Sequence, residues 1–207
     1  MNNFRIIFLG FILTFASAWV GLAVLPSRHF ATLQTVQDPA SGAELPPPLD
    51  PLAQRGAQVY LANGCVYCHS QQVRPADAGS DIARGWGQRR TVSRDYLRDQ
   101  VAVMGTMRTG PDLSNIGVRN PSDSWHLLHL YNPQLTSPGS TMAPFPFLFE
   151  KVKAGPQPRA DALSLPAEER IPGYEVIPTD DARALVAYLK SLRRSAYSLP
   201  EAPLPKD

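Results

Sequence analysis

Five consecutive residues, Cys65-Val66-Tyr67-Cys68-His69, carry the chemistry of this chain. C-x-x-C-H is the spacing of c-type haem attachment. Two thiols three positions apart reach the two vinyl groups on one edge of a haem and form thioethers. The histidine after the second thiol then lies under the iron and offers an axial nitrogen. Three other readings compete. A thioredoxin-like dithiol belongs beside a βαβ pattern, and none surrounds this pair. A structural zinc site needs about four ligands, and the chain has only these two cysteines. A chance match carries the general risk of any short motif. The spacing therefore points to one covalent haem c.

That chemistry bounds the compartment. Attachment of this kind needs reduced thiols and takes place on the outer side of the bacterial inner membrane. With both cysteines committed, none remains for a structural disulfide. The 207 residues suit one globular domain with appendages. A net charge of +2 gives no pull toward nucleic acid. The 21 prolines cluster in connecting segments, and long ordered loops are expected, because apolar residues stay plentiful throughout.

The elements that must position the motif follow. Ile6 to Leu25 runs without a charge, and about 20 apolar residues are what a helix needs to cross a bilayer. Pro26, Ser27, Arg28 and His29 close the run. Arg5 and Arg28 nearly balance, so the positive-inside count is silent; the haem requirement puts the N-terminus inside and the bulk of the chain outside. A cleaved signal peptide is the rival reading, since Ala16-Ser17-Ala18 resembles a cleavage site, but the apolar run continues past it. Residues 30 to 50, with Asp38-Pro39 and Leu45-Pro46-Pro47-Pro48, read as an extended spacer. Asp50-Pro51 reads as an N-cap with proline at the first helical position. Leu52, Gly56, Val59 and Tyr60 recur at helical spacing, and Asn63-Gly64 ends that helix just before Cys65. Gly56 permits a close helix crossing. Near the other end Thr179 caps a helix with Asp180 and Asp181 in its first turn. Ala182, Leu185, Val186, Leu189 and Leu192 form its apolar stripe, and Lys190, Arg193 and Arg194 are expected in its last turn.

A helix running into C-x-x-C-H, paired with a C-terminal helix containing Leu185-Val186-Ala187-Tyr188-Leu189, resembles the class I cytochrome c fold. In that fold the two helices cross and close the haem pocket; Gly56 and Tyr60 match one side, Tyr188 and Leu189 the other. The expected architecture is mainly α: one N-terminal transmembrane helix plus a class I cytochrome c-like haem domain with long loops. The boundaries read as an anchor over 1–27, a Pro-rich linker over 28–50, the cytochrome c domain over 51–195 and a tail over 196–207.

An electron carrier needs a second axial ligand. Met142 lies in Ser140-Thr141-Met142-Ala143-Pro144-Phe145-Pro146, where prolines stiffen the backbone and aromatics exclude water; a thioether in a dry pocket favours ferrous iron. Class I cytochromes place a proline between motif and methionine whose carbonyl meets the ligand histidine, and Pro111 in Gly110-Pro111-Asp112-Leu113 is the matching residue. Met104 and Met107 read as core gap-fillers. His126 and His129 share a helical face and read as hydrogen-bonded residues rather than ligands. Arg84, Arg89, Arg90, Arg94 and Arg98 read as a solvated face, with propionate anchoring or docking as the sharper alternative. Arg74, close to the motif, is the best candidate to hold a haem propionate.

Past the motif the chain reads Ser70-Gln71-Gln72-Val73-Arg74-Pro75. It continues with Arg84-Gly85-Trp86-Gly87 and Arg89-Arg90, then Arg108-Thr109-Gly110-Pro111-Asp112-Leu113, Trp125-His126 with Asn132-Pro133, and Met142 with Pro144. With the anchor, this order over most of residues 1–149 resembles the second subunit of cbb3-type cytochrome c oxidases, a membrane-anchored monohaem cytochrome c. The resemblance implies an electron relay in the respiratory chain. Partners would be the haem–copper catalytic subunit (subunit I), where dioxygen is reduced with proton translocation, and a further cytochrome c subunit or a soluble cytochrome c as donor. It implies a single-pass protein of the bacterial inner membrane with the haem domain in the periplasm. It also implies metal ligands His69 and Met142, and no dioxygen site on this chain. The haem c subunit of a membrane nitric oxide reductase is an alternative against which Ser70-Gln71-Gln72-Val73-Arg74 argues. A free periplasmic shuttle released after Ala18, and a haem sensor or peroxidase-like enzyme with a vacant iron position, are the others. Residues 150–178 carry no reading.

Overall fold

The computed structural model describes residues 3–199; residues 200–207, most of the expected tail, lie outside the described residues. The chain is mainly helical and divides into two compact units.

The first unit contains the N-terminal segment, residues 92–98 and Leu199. Helix α1 (Phe4–Trp19), a π-helical turn (Val20–Val24) and α2 (Leu25–Thr32) run without a break. Together they form a single apolar helix of 29 residues, Phe4–Thr32, long enough to cross a membrane. At 1.5 Å per residue it spans about 43 Å, more than the roughly 30 Å hydrocarbon layer. The helix does not stop at Pro26, as the sequence suggested, but continues to Thr32. Proline lacks the N–H of an i→i−4 bond, and the wider π turn immediately upstream absorbs the change in hydrogen-bond register.

Beyond α2 a small antiparallel pair forms between β1 (Val36–Gln37) and β2 (Glu44–Leu45). Arg98 donates through Nε to the Pro46 carbonyl at 3.1 Å and through Nη2 to Glu44 at 2.6 Å. Arg94 donates to the Gln34 carbonyl. Proline-rich backbone has carbonyls with no internal partners, and here arginines supply the donors. These two arginines are therefore not a free solvated face.

The second unit comprises residues 47–91 and 99–198. Its frame is α3 (Pro51–Ala62) crossing α6 (Asp180–Ser191). Asp50 caps α3, accepting from Ala53 N at 2.8 Å, and Thr179 caps α6, accepting from Ala182 N at 3.3 Å. A Cβ on Gly56 would sit 1.9 Å from the Ala184 carbonyl oxygen and 2.7 Å from Tyr188 Cβ. The crossing thus brings backbone against backbone, as the glycine implied. Tyr60 and Tyr188 meet edge to face, centroids 5.4 Å apart, a favoured aromatic geometry. Around this crossing the core gathers Val59, Leu113, Ile116, Leu130, Leu148, Leu185 and Leu189.

Two short helices, α4 (Ile116–Arg119) and α5 (Asp123–Tyr131), belong to the same unit. The unread stretch after residue 149 contains an antiparallel hairpin. Strands β3 (Phe149–Lys153) and β4 (Tyr174–Pro178) pair from Phe149↔Pro178 to Lys153↔Tyr174. Phe149 and Val176 turn into the core, and Leu165 from the connecting loop joins them. The last turn of α6 differs from expectation. The helix ends at Ser191, and Arg194 turns inward to 6% exposure, bonding Asp99 at 2.7 Å and Gln71 Oε1 at 3.3 Å. A half-buried carboxylate partner holds that guanidinium more strongly than a helix dipole could.

Candidate functional site

The motif is folded by the end of α3. Asn63 is the C-cap, Gly64 adopts φ +68°, and a 3-10 turn covers Cys65–Tyr67. Left-handed backbone at Gly64 turns the chain at once, which a residue with a Cβ resists. Within the turn the Cys65 carbonyl accepts from both Cys68 N (3.2 Å) and His69 N (3.0 Å). One turn thus carries both free thiols and the imidazole. Cys65 is half-buried and Cys68 exposed; burial pushes the Cys65 thiol up to about 11.

His69 Nδ1 lies 2.7 Å from the Pro111 carbonyl oxygen. A carbonyl can only accept, so Nδ1 carries the proton and Nε2 keeps its lone pair. Burial holds the imidazole pKa below its usual value, which further favours the neutral ring. A second-shell carbonyl on one nitrogen is how ligating histidines are oriented and made more basic. Gly110 lies against the ring: a Cβ there would be 2.1 Å from His69 Cε1 and 2.8 Å from Nε2. Gly110 N donates to the Cys68 carbonyl (2.9 Å) and Leu113 N to the Ser70 carbonyl (2.8 Å). Residues 68–70 and 110–113 are therefore laced together on both sides of the His69–Pro111 contact.

Cys65, Cys68, His69 and Pro111 are brought together. Met142 sits half-buried against the same core that Cys65 and Val66 pack on. Its segment is held by Met142 N to Ser140 Oγ (3.2 Å), Gln134 Nε2 to Ser140 O (2.5 Å) and Phe145 N to Leu130 O (2.9 Å). The Arg74 side chain is exposed, and its backbone N–H donates to Asp81 at 2.7 Å. The guanidinium bound next to the motif is Arg108, which donates from Nε to Ser70 Oγ at 2.9 Å. Arg108, Asp112 and Gly110 lie in the Arg108–Leu113 stretch, where spacing alone assigns them no role.

Met104 and Met107 are not core residues; they are 42% and 55% exposed. Their segment is held by backbone, with Gln71 N donating to the Met104 carbonyl at 2.7 Å and Gly105 close against the His69 carbonyl. The side chains are thus left outside. His126 Nε2 bonds the Asn120 carbonyl (2.8 Å), and His129 bonds Thr136 Oγ1 and stacks on Trp125 at 4.7 Å. Burial, then the neighbouring His126 and His69 charges, lower His129 to about 4. Arg89 bonds the Tyr197 carbonyl and Arg84 lies over Trp86.

The donor set fits a c-type haem: two thiols and an imidazole with a free Nε2 in one turn, plus a thioether on the same core. The family model described as cytochrome c oxidase, mono-heme subunit/FixO matches residues 6–162. The chain belongs to that family of monohaem cytochrome c subunits. None of the curated proteins matches it.

Proposed function

We propose that the chain is the monohaem c electron-transfer subunit of a cbb3-type haem–copper oxidase. The observation that carries this reading is the His69–Pro111 contact at 2.7 Å, made by the imidazole that closes the turn holding both thiols. A bound haem c supplies one-electron redox chemistry. Cys65 and Cys68 would hold it through thioethers. His69 would offer Nε2 to the iron, and Pro111 fixes the tautomer that leaves that nitrogen unprotonated. Met142 would offer its sulfur to the same iron, and reduction of dioxygen would belong to the partner catalytic subunit. Arg74 supplies charge for a propionate. The N-terminal helix holds the chain in the bacterial inner membrane with the haem domain in the periplasm. There it takes electrons from a further cytochrome c subunit or a soluble cytochrome c and passes them toward the catalytic subunit.

The test uses membranes from cells expressing the full chain together with its oxidase partners. Haem should stay with this polypeptide on a denaturing gel and stay in the membrane after a salt wash. The reduced protein should not bind carbon monoxide, and a copper-containing haem b subunit should co-purify. Haem lost on denaturation, or carbon monoxide binding by the wild type, defeats the proposal.

A further inference from the structure

Next to Pro111 is a carboxylate with no exposure to solvent. Asp112 is 0% exposed. One of its oxygens accepts from Ser70 Oγ and Gln72 N, both at 2.7 Å, and the other from Ser114 N at 2.8 Å. Ser70 in turn accepts from Arg108 Nε at 2.9 Å, so Arg108, Ser70 and Asp112 form a directed chain. Arg108 also donates to the Gln72 carbonyl at 2.6 Å and to Asp81, which is 2% exposed. Its Nη2 lies 3.9 Å from Asp112, and its guanidinium lies 5.3 Å from the Trp86 ring centroid. Arg119 donates to the Asp112 backbone carbonyl.

These bonds join the residue after His69 to the residue after Pro111. Buried charge costs stability unless it is paired and hydrogen-bonded, and core packing alone would not require it here. The network does two things to the imidazole. It fixes the Pro111 carbonyl against Nδ1, and it sets the Asp112 carboxylate and the Arg108 guanidinium near that contact, with Asp81 paired to Arg108 and Arg119 bonded to the Asp112 carbonyl.

We propose that Asp112 and Arg108 are positioning residues for His69 that bias the reduction potential of the bound haem in opposite directions. This rests on the reading of His69 as an axial ligand. A buried carboxylate favours the oxidised, more positive iron, and a half-buried guanidinium such as that of Arg108 the reduced one; hydrogen bonding and local charge are recognised controls on haem potential.

The experiment is a redox titration of the detergent-extracted holoprotein, wild type against Asp112→Asn, Arg108→Gln and Arg108→Lys. Asp112→Asn should raise the midpoint potential, Arg108→Gln should lower it, and Arg108→Lys should recover most of that fall. Each should keep covalent haem and the charge-transfer band of methionine-ligated ferric haem. A loosened pocket would instead shift both neutralised variants the same way. Shifts of the same sign, or none, overturn the proposal. If Asp112→Asn does not accumulate, the Arg108 pair decides: a fall with Gln that Lys does not recover also overturns it. A wild type without covalent haem refutes the functional reading itself, and the gel shows that before any titration.

Discussion

Replacing Gly110 with alanine tests the site at its tightest point. The new Cβ would stand 2.1 Å from His69 Cε1, 2.7 Å from Nδ1 and 2.8 Å from Nε2, where ordinary contact begins at 3.4 Å. The φ of Gly110 is not in the left-handed region, so alanine is acceptable to the backbone and the contact alone carries the effect. The ring cannot stay where it is: either it swings off the Pro111 carbonyl, 2.7 Å away, or the 110–111 backbone retreats and stretches its bond to the Cys68 carbonyl. Overpacking of this kind costs about 1–3 kcal/mol, and a weakened hydrogen bond adds about 1 kcal/mol. For a domain of this size that lowers Tm by on the order of 5–10 °C. The assay is a thermal scan of the holoprotein with a redox titration and a ferric absorption spectrum. Gly155→Ala is the control, since its nearest neighbour is a carbonyl at 3.6 Å. A Gly110→Ala protein with unchanged Tm, potential and spectrum would refute the argument that this glycine exists to admit the imidazole.

Met142→Ala should retain covalent haem, lose the methionine charge-transfer band and let the reduced protein bind carbon monoxide; spectra before and after gas addition check it. Gly56→Leu should prevent the α3–α6 crossing, because even a Cβ meets the Ala184 carbonyl at 1.9 Å. A loss of more than about 3 kcal/mol, or no folded protein by circular dichroism, is expected. His129 gives a pH prediction. Its folded pKa is held down to about 4 from 6.5, so protons bind the unfolded chain first. The stabilisation from keeping it neutral is present above about pH 6.5 and is lost as pH falls toward 4. Denaturant titrations across that window should show a shallower pH slope in His129→Gln.

How much of this was legible in the sequence varies by element. Both helices of the crossing could be read with their caps, because Asp50, Thr179 and the apolar stripes are local signals. Gly56 could be read as the contact because the face it shares with Val59 and Tyr60 is apolar. The hairpin over residues 149–178 was not legible: its strands are short, and the loop between them is rich in proline and charge. Met104 and Met107 were misread because composition favours burying methionine, whereas their side chains are turned out by backbone bonds at Met104 and Gly105. Arg94 and Arg98 looked solvated in a run of like charges, yet their partners, Gln34, Glu44 and Pro46, are far away in sequence. Asp112 could not be singled out for the same reason: its partners Ser70 and Gln72 lie about forty positions upstream.

The α3–α6 crossing also orders events during biogenesis. It joins residues more than 120 positions apart, as the Arg55–Asp181 contact shows, and such distant pairings form late. Once they form, Cys65 is half-buried and its sulfur is hard to deprotonate, which makes a poor nucleophile. On the proposed haem c reading, thioether formation would therefore be fastest after Cys65–His69 has emerged and before Asp180–Ser191 docks. A truncation lacking α6 should accept the porphyrin readily and then fail to retain a stable pocket around it.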